Sequence, residues 1–383
     1  MLNHKLISCD DHLDLNQLPA DLWQTRLPAE FRHRAPHIEE QNGRSVWVCE
    51  GEVWGSWSGR AAPNMGPKPI FNAFDRDGIT DQTARRPGVP ALRLADMDRD
   101  GVHSHIVFGP VFAIKTNDPA LRQACYSTYN NWLAEYCAVA PDRLLGVPLL
   151  PPYPEEALKE ARRLAAMGCF KQVNLQIAVA EPAISDLRWE PFFQFLEDAR
   201  LILAFHVTVF ASASNAFDPL KGSPGATFLH AKMFVEQFLD PFVDLFAYGI
   251  LERHSGLKIV IAESGAGWLP WVVEELDYRH WRLWEAKEFW ADRGGIPLVK
   301  KPSELFKRQI YATFQQSPVA MRLIEFYGDN LLWASDYPYP DSIWPNSHAT
   351  IKTTMGHLPP EVVRKLTYAN AAKLYGIEEV AAA

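Results

Sequence analysis

Short runs of apolar, often β-branched residues alternate along this chain with longer stretches in which apolar side chains recur at three- and four-residue steps. The short runs read as strands and the long ones as amphipathic helices. Strands are expected at Leu6–Cys9, Ile106–Phe108, Leu144–Leu149, Gln172–Leu175, Leu201–His206, Lys258–Ala262, Gln309–Ala312 and Leu331–Ser335. Helices are expected at Leu92–Asp100, Pro119–Val139, Pro154–Ala166, Trp189–Ala199, Ala231–Arg253, Leu269–Lys287, Val319–Tyr327 and Pro360–Tyr375. Alternation of this kind predicts an α/β protein with a parallel sheet under crossover helices, and eight strands are the number that closes a (β/α)8 TIM barrel.

The connections are short except in two places. A Trp-, Pro- and Gly-rich insertion, residues 15–90, follows the first strand, and a second, residues 207–227, follows the fifth. Insertions after strands open onto the C-terminal mouth of a barrel, where barrel enzymes keep their active sites. No repeat, low-complexity tract or linker suggests a second domain, so residues 1–383 read as one barrel.

Composition narrows the function classes. A formal charge of −8, a pI near 5.9 and scattered Lys and Arg offer no basic surface for nucleic acid or an anionic membrane. No apolar run is long enough to span a bilayer, and the N-terminus lacks the apolar centre and cleavage site of a signal peptide, so a cytoplasmic location is expected. The five cysteines, Cys9, Cys49, Cys125, Cys137 and Cys169, form no CxxC pair, which argues against a disulfide framework or a thiolate zinc site. They read as buried, reduced thiols.

The candidate chemistry sits at strand ends. Asp10 and His12 follow the first apolar run, and a spacing of two puts both side chains on one side of an extended segment. His206 closes LILAFH, Asp336 follows LLWAS, and Glu263 closes KIVIAE. Singly, such a His is more often a hydrogen-bonded core residue and such an Asp a cap or turn former. Jointly, Asp10, His12, His206 and Asp336 would ring the mouth of a barrel and make a first shell for a divalent metal. His103-Ser104-His105 is a literal HxH, but it reads as a solvated loop before its strand, at the opposite face. His280, in the helix ELDYRHWRLW, reads as a packing or surface residue, with a second-metal role as the alternative.

The stretches LRLADMDRDGVHSHIVF, YNNWLAEYCAVAPDRLLGVPLLP, GILERHSGLKIVIAESGAGWLPW and LLWASDYPYPDSIWP together resemble the amidohydrolase-related (amidohydrolase 2) barrel metalloenzymes, the group that includes aminocarboxymuconate-semialdehyde decarboxylase and γ-resorcylate decarboxylase. Carried across residue by residue, the resemblance matches the HxH or ExH motif of the first strand to Asp10-Asp11-His12, the histidine of the fifth strand to His206 and the aspartate of the eighth to Asp336. It also implies a homodimer. Two positions depart from the pattern: Glu263 stands where the decarboxylases commonly carry His, and Tyr339 stands where a His usually follows the SDYP block.

Those departures order the expected functions. An ionised Glu263 would act as a base or a further metal ligand, which puts first a metal-dependent hydrolase acting on a small cyclic, aromatic or carboxylated compound through a metal-bound water. Non-oxidative decarboxylation of an aromatic or dienoic acid is the alternative, and a dinuclear iron or manganese oxygenase, with Glu263 and His280 holding a second ion, is a third reading. A purely structural or binding role is disfavoured by so many ionisable groups on one rim. Zinc is the first expectation for the metal, with manganese or iron as alternatives. Catalytic roles fall to Glu263 and Asp336. Trp54, Trp57, Trp268 and Tyr339 are candidates for an aromatic substrate pocket, although tryptophans in a long insertion equally serve to pack it onto the barrel.

Overall fold

The computed structural model describes residues 4–57, 85–111, 114–208, 225–288, 298–339 and 341–377, without the side chains of 44, 56 and 225–234. Its strands are β1 (Leu6–His12), β2 (His37–Gln41), β3 (Arg44–Cys49), β4 (Glu52–Ser56), β5 (Val102–Phe108), β6 (Leu144–Val147), β7 (Leu149–Leu150), β8 (Gln172–Leu175), β9 (Ile202–His206), β10 (Ile259–Ala262), β11 (Ile310–Phe314) and β12 (Leu331–Trp333). Two parallel ladders run β1-β5-β6 and β7-β8-β9-β10-β11-β12. Pro148, which has no N–H to give a ladder, parts them between β6 and β7. At the other seam, Asp336 N donates to Asp10 O (3.0 Å) and His12 N to Tyr337 O (2.7 Å), joining the chain beyond β12 to β1. The strand order and the intervening helices are those of a (β/α)8 barrel.

Alternating side chains separate two apolar layers. Ile7, Cys9, Ile106, Phe108, Val147, Ile202, Ala204, Val260, Ala262 and Leu332 pack together inside the ring of strands, with Tyr368, Ala371 and Tyr375 of the C-terminal helical segment against them. The intervening Leu203, Phe205, Ile259, Ile261, Leu331 and Trp333 join the larger cluster that includes the covering helices. Those helices start and stop where their sequences direct. Asp118 accepts from Ala120 N and Leu121 N and caps Pro119–Cys137. Gly101, at φ +71°, ends Pro90–Asp100 and turns the chain directly into β5.

Several expectations are corrected. β5 begins at Val102, so His103-Ser104-His105 is strand, not solvated loop, and Ser104 and His105 are buried. The polar triplet hid a strand whose outer face packs against buried Arg93. The helix expected at Ala231–Arg253 is broken by Gly249 at φ +65° into Gly225–Ala247 and Ile250–Arg253. Four of the cysteines are buried, but Cys169 is exposed. No helix of the described residues is long and apolar enough to cross a membrane.

The first insertion carries the antiparallel sheet β2-β3-β4. Residues 58–84 of it, and 209–224 of the second insertion, lie outside the described residues. Trp23 packs edge-on against Trp47 (4.9 Å) and Trp54 (5.4 Å), forming one buried knot.

Candidate metal centre

The inner face of the strands, apolar through the lower layers, ends in polar side chains at the rim. On β9 the inner positions run Ile202, Ala204, His206, and on β11 Thr313 follows Tyr311. Beyond β12 the same face passes from Leu332 to Asp336. On β1 the register slips between Ser8 and Asp11: three steps on β1 match two from His105 to Val107 on β5. A bulge here, common at barrel rims and beside active sites, aims the strand's last side chains into the mouth.

Asp10, His12 and His206 converge there. Their ligand atoms all lie within 4.8 Å of one another, and all three residues are buried. His206 Nε2 is 3.2 Å from Asp10 Oδ1, and His12 Nε2 is 3.6 Å from the same oxygen. The His12 and His206 rings meet edge-on, 5.0 Å apart. His206 Nδ1 donates to Val207 O (2.9 Å), the usual second contact of a ligating imidazole, and this turns Nε2 toward the cluster. Asp10 is fixed from behind by Thr313, whose hydroxyl donates to Oδ2 (2.8 Å) and accepts from Glu263 N (2.9 Å).

Asp336 and Glu263 complete the rim. Asp336 Oδ1 is 2.9 Å from His12 Nε2, and Glu263 Oε2 is 3.3 Å from His206 Nε2. Both residues hold left-handed backbone, at φ +62° and +57°, which costs a non-glycine residue roughly 1–2 kcal/mol. Strain of this kind gathers at functional sites because surrounding bonds hold it there. Buried polar atoms are left unsatisfied in the same place: His12 Nδ1 and Glu263 Oε2 have no hydrogen-bond partner.

Crowding sets the protonation of the metal-free cluster. Burial pushes the Glu263 carboxyl well above its ordinary range, with Asp10 adding repulsion and His206 opposing it. Asp336 is pushed the same way by burial and then by Glu263, Asp341 and Asp10. Burial and the His206 and Arg93 charges hold His12 neutral. Burial also opposes charge on His206, but Asp10, Glu263 and the Val207 carbonyl outweigh it and raise that imidazole to about 9. Two imidazoles and carboxylates that hold protons against mutual repulsion form a donor set a divalent cation would relieve, and the residues fit such an ion.

A cavity of about 430 Å³ opens beside the cluster, lined by Asp10, Glu263, Asp336, Trp268, Phe314 and Gln316 among others. That volume suits a one-ring substrate. Tyr339 stacks on His12 at 4.3 Å. Trp54 and Trp57 are not among the lining residues: their indole N–H groups donate to Lys115 O and Leu18 O, within the insertion and its footing. His280 is not brought to the cluster; its Nε2 pairs with Leu298 O and its ring stacks on Trp284. Thr313, which no motif marked in the sequence, is the contact the residue reading missed.

The geometry has counterparts. A family model described as amidohydrolase matches residues 63–377. A gamma-resorcylate decarboxylase of Rhodococcus jostii is 25% identical over 277 residues, covering 67% of this chain and 79% of that protein. An amidohydrolase structure from Mycobacterium avium subsp. paratuberculosis superposes with a TM-score of 0.72 at 18% identity, over 98% of this chain and 100% of that one. A 5-carboxyvanillate decarboxylase from Novosphingobium aromaticivorans, complexed with manganese and 4-hydroxy-3-methoxy-5-nitrobenzoic acid, superposes with a TM-score of 0.63 at 18% identity, over 97% and 96%. At these identities the superpositions speak for the fold alone.

Proposed function

This chain belongs to the amidohydrolase family, and from that premise we propose that it is a metal-dependent carboxy-lyase releasing CO2 from a small hydroxylated aromatic acid. The observation that carries the reading is the placement of two further carboxyls, Glu263 and Asp336, in the cavity lining beside the imidazole–carboxylate cluster, where a proton donor to a bound ring would stand. Asp10, His12 and His206 would hold the divalent ion, which would supply a Lewis acid that neutralises anionic oxygen on the substrate.

The chain's own residues supply the rest. Removing CO2 from an aromatic ring requires a proton on the ring carbon that bears the carboxylate. The C–C bond then breaks, its electron pair stays with the ring, and the ring regains aromaticity. A donor must therefore be protonated near neutral pH and stand at the cavity wall. Glu263 and Asp336 stand at that wall, and in the metal-free cluster burial raises both carboxyls above their ordinary range. Trp268 offers an apolar wall for a flat ring. The preference for hydrolysis read from sequence assumed an ionised Glu263 acting as base; a Glu263 that keeps its proton lends itself to the acid's role. The related gamma-resorcylate decarboxylase supports the same direction. The donor set suits manganese, zinc or iron, and manganese is the first to test because a structural neighbour holds it.

The test is turnover of gamma-resorcylate and 5-carboxyvanillate by manganese- or zinc-loaded protein in D2O. The expected result is CO2 with one deuterium on the vacated ring carbon. Failure to release CO2 from a panel of ortho-hydroxybenzoic acids, with cleavage of cyclic amides or esters instead, would return hydrolysis to first place.

A further inference from the structure

Behind the barrel wall, a second buried polar layer lies directly under the metal cluster. Asp11 falls between Asp10 and His12, but its contacts lie with a different group of residues. Its Oδ1 accepts from Ser335 Oγ (2.6 Å) and from Tyr337 N (3.1 Å). Ser335 and Tyr337 are the residues on either side of Asp336. Ser335 N also donates to Ser8 Oγ (2.7 Å), and Arg93 Nη1 donates to His12 O (2.9 Å). Arg93 Nε reaches His105 Nδ1 (3.3 Å), and Asp11 Oδ2 lies 3.6 Å from that nitrogen. Asp11, Arg93 and His105 are all within 1% of full burial.

We propose that Asp11 is a positioning residue: its carboxylate clamps both neighbours of Asp336 to β1 and so sets where the Asp336 carboxyl stands relative to His12 and Asp10. Among the described residues no ladder pairs β12 with β1. The last strand must nevertheless deliver a side chain to within 2.9 Å of a histidine on the first. Two backbone bonds cross the seam, and Asp336 sits between them in left-handed backbone that an unrestrained chain would leave. The two bonds to one Asp11 oxygen restrain both flanks of that strained residue, while Arg93 fixes the backbone of His12 from the same layer.

The assignment rests on the decarboxylase reading only for its kinetic arm. Asp11→Ala removes the clamp, whereas Asp11→Asn keeps an oxygen for Ser335 and Tyr337. With manganese-loaded protein of matched folded fraction, Asp11→Ala should lower kcat by about 10²-fold with KM within about threefold, the size of effect an ångström-scale misplacement produces. Asp11→Asn should stay within about threefold of the parent. Independently of any substrate, the EPR spectrum of bound Mn2+ should change in Asp11→Ala and be restored in Asp11→Asn. Should Asp11→Ala not fold, Ser335→Ala removes one of the two bonds and should show both effects more weakly. A folded Asp11→Ala, or in its place Ser335→Ala, with the parent's kcat and spectrum would overturn the proposal. A parent that turns over no aromatic acid sinks the functional reading instead, and the spectra still decide Asp11.

Discussion

The tryptophan knot of the insertion and the acid–imidazole cluster at the rim are both buried and both rich in polar atoms, and they differ in how those atoms are satisfied. In the knot every indole N–H has a carbonyl: Trp23 donates to Cys125 O, Trp47 to Leu15 O and Trp54 to Lys115 O. At the rim, His12 Nδ1 and Glu263 Oε2 have no hydrogen-bond partner, two backbones are left-handed, and three carboxyls repel one another. Folding selects the first arrangement, because an unsatisfied buried polar group costs roughly 1–3 kcal/mol. At the rim a bound ion or substrate would supply the missing partners. Satisfaction separates this knot from this rim, although core residues such as Tyr126, Tyr129 and Trp333 also bury a polar atom without a hydrogen-bond partner.

The sharpest way to break that contrast is to remove a rim ligand. His206→Ala should weaken divalent metal binding by at least ~10²-fold, since even groups behind a ligand typically account for 10–100-fold. Turnover should fall with it. Equilibrium dialysis against Mn2+ checks the affinity, and an unchanged stoichiometry at low metal would remove His206 from the centre. Glu263→Gln should follow, lowering turnover by about 10²- to 10⁴-fold through lost proton transfer at constant metal content. If metal content drops as well, Glu263 is a ligand rather than an acid.

Protonation gives a smaller effect of defined sign. His206 in the metal-free protein is raised to about 9, so below that pH an ion must displace its proton. Apparent metal affinity should therefore rise about tenfold per pH unit from pH 6.5 to 8.5 and flatten beyond about pH 9. In the metal-free protein the sign reverses: the raised pKa contributes stability that is fully present below about pH 6.5 and lost as pH rises through about 9. Chelator competition and thermal melts of the metal-free protein, run over the same buffers, should slope in opposite directions. A flat affinity profile would mean His206 is not protonated in the metal-free protein.

Periodicity made most of the fold legible, because a strand buried on both faces reads as an unbroken apolar run and each was followed by a helix of clear 3.6 period. The rim residues were legible for a related reason: Asp10, His206, Glu263 and Asp336 each stand where such a run stops. The first half of β5 was missed because His103, Ser104 and His105 meet neighbouring polar groups, so it does not look apolar. Asp11 looked like a spacer, since its partners lie 324 and 326 residues away across the seam. The aromatic candidates divided for want of orientation. Tyr339 lies on His12 and Trp268 on the cavity, while Trp54 faces the insertion, and nothing in an aromatic residue's identity says which way its ring will turn.

Trp54 is therefore the residue on which the smallest effect decides most. Trp54→Phe keeps a ring against Trp23 but deletes the N–H that donates to Lys115 O at 2.8 Å and leaves a small void in a position 1% exposed. The lost bond leaves a half-buried carbonyl short of a donor, worth about 1 kcal/mol, and the smaller ring adds a cavity penalty, so the protein should lose about 1–3 kcal/mol of stability. Turnover and metal content should stay within about twofold of the parent, because in the packing reading the knot holds the insertion onto the barrel and touches no substrate. Denaturant melts and steady-state kinetics on the same preparation separate the two. A Trp54→Phe protein of parental stability with a several-fold higher KM would place the indole against substrate, and the contrast between a satisfied knot and an unsatisfied rim would no longer divide packing from function.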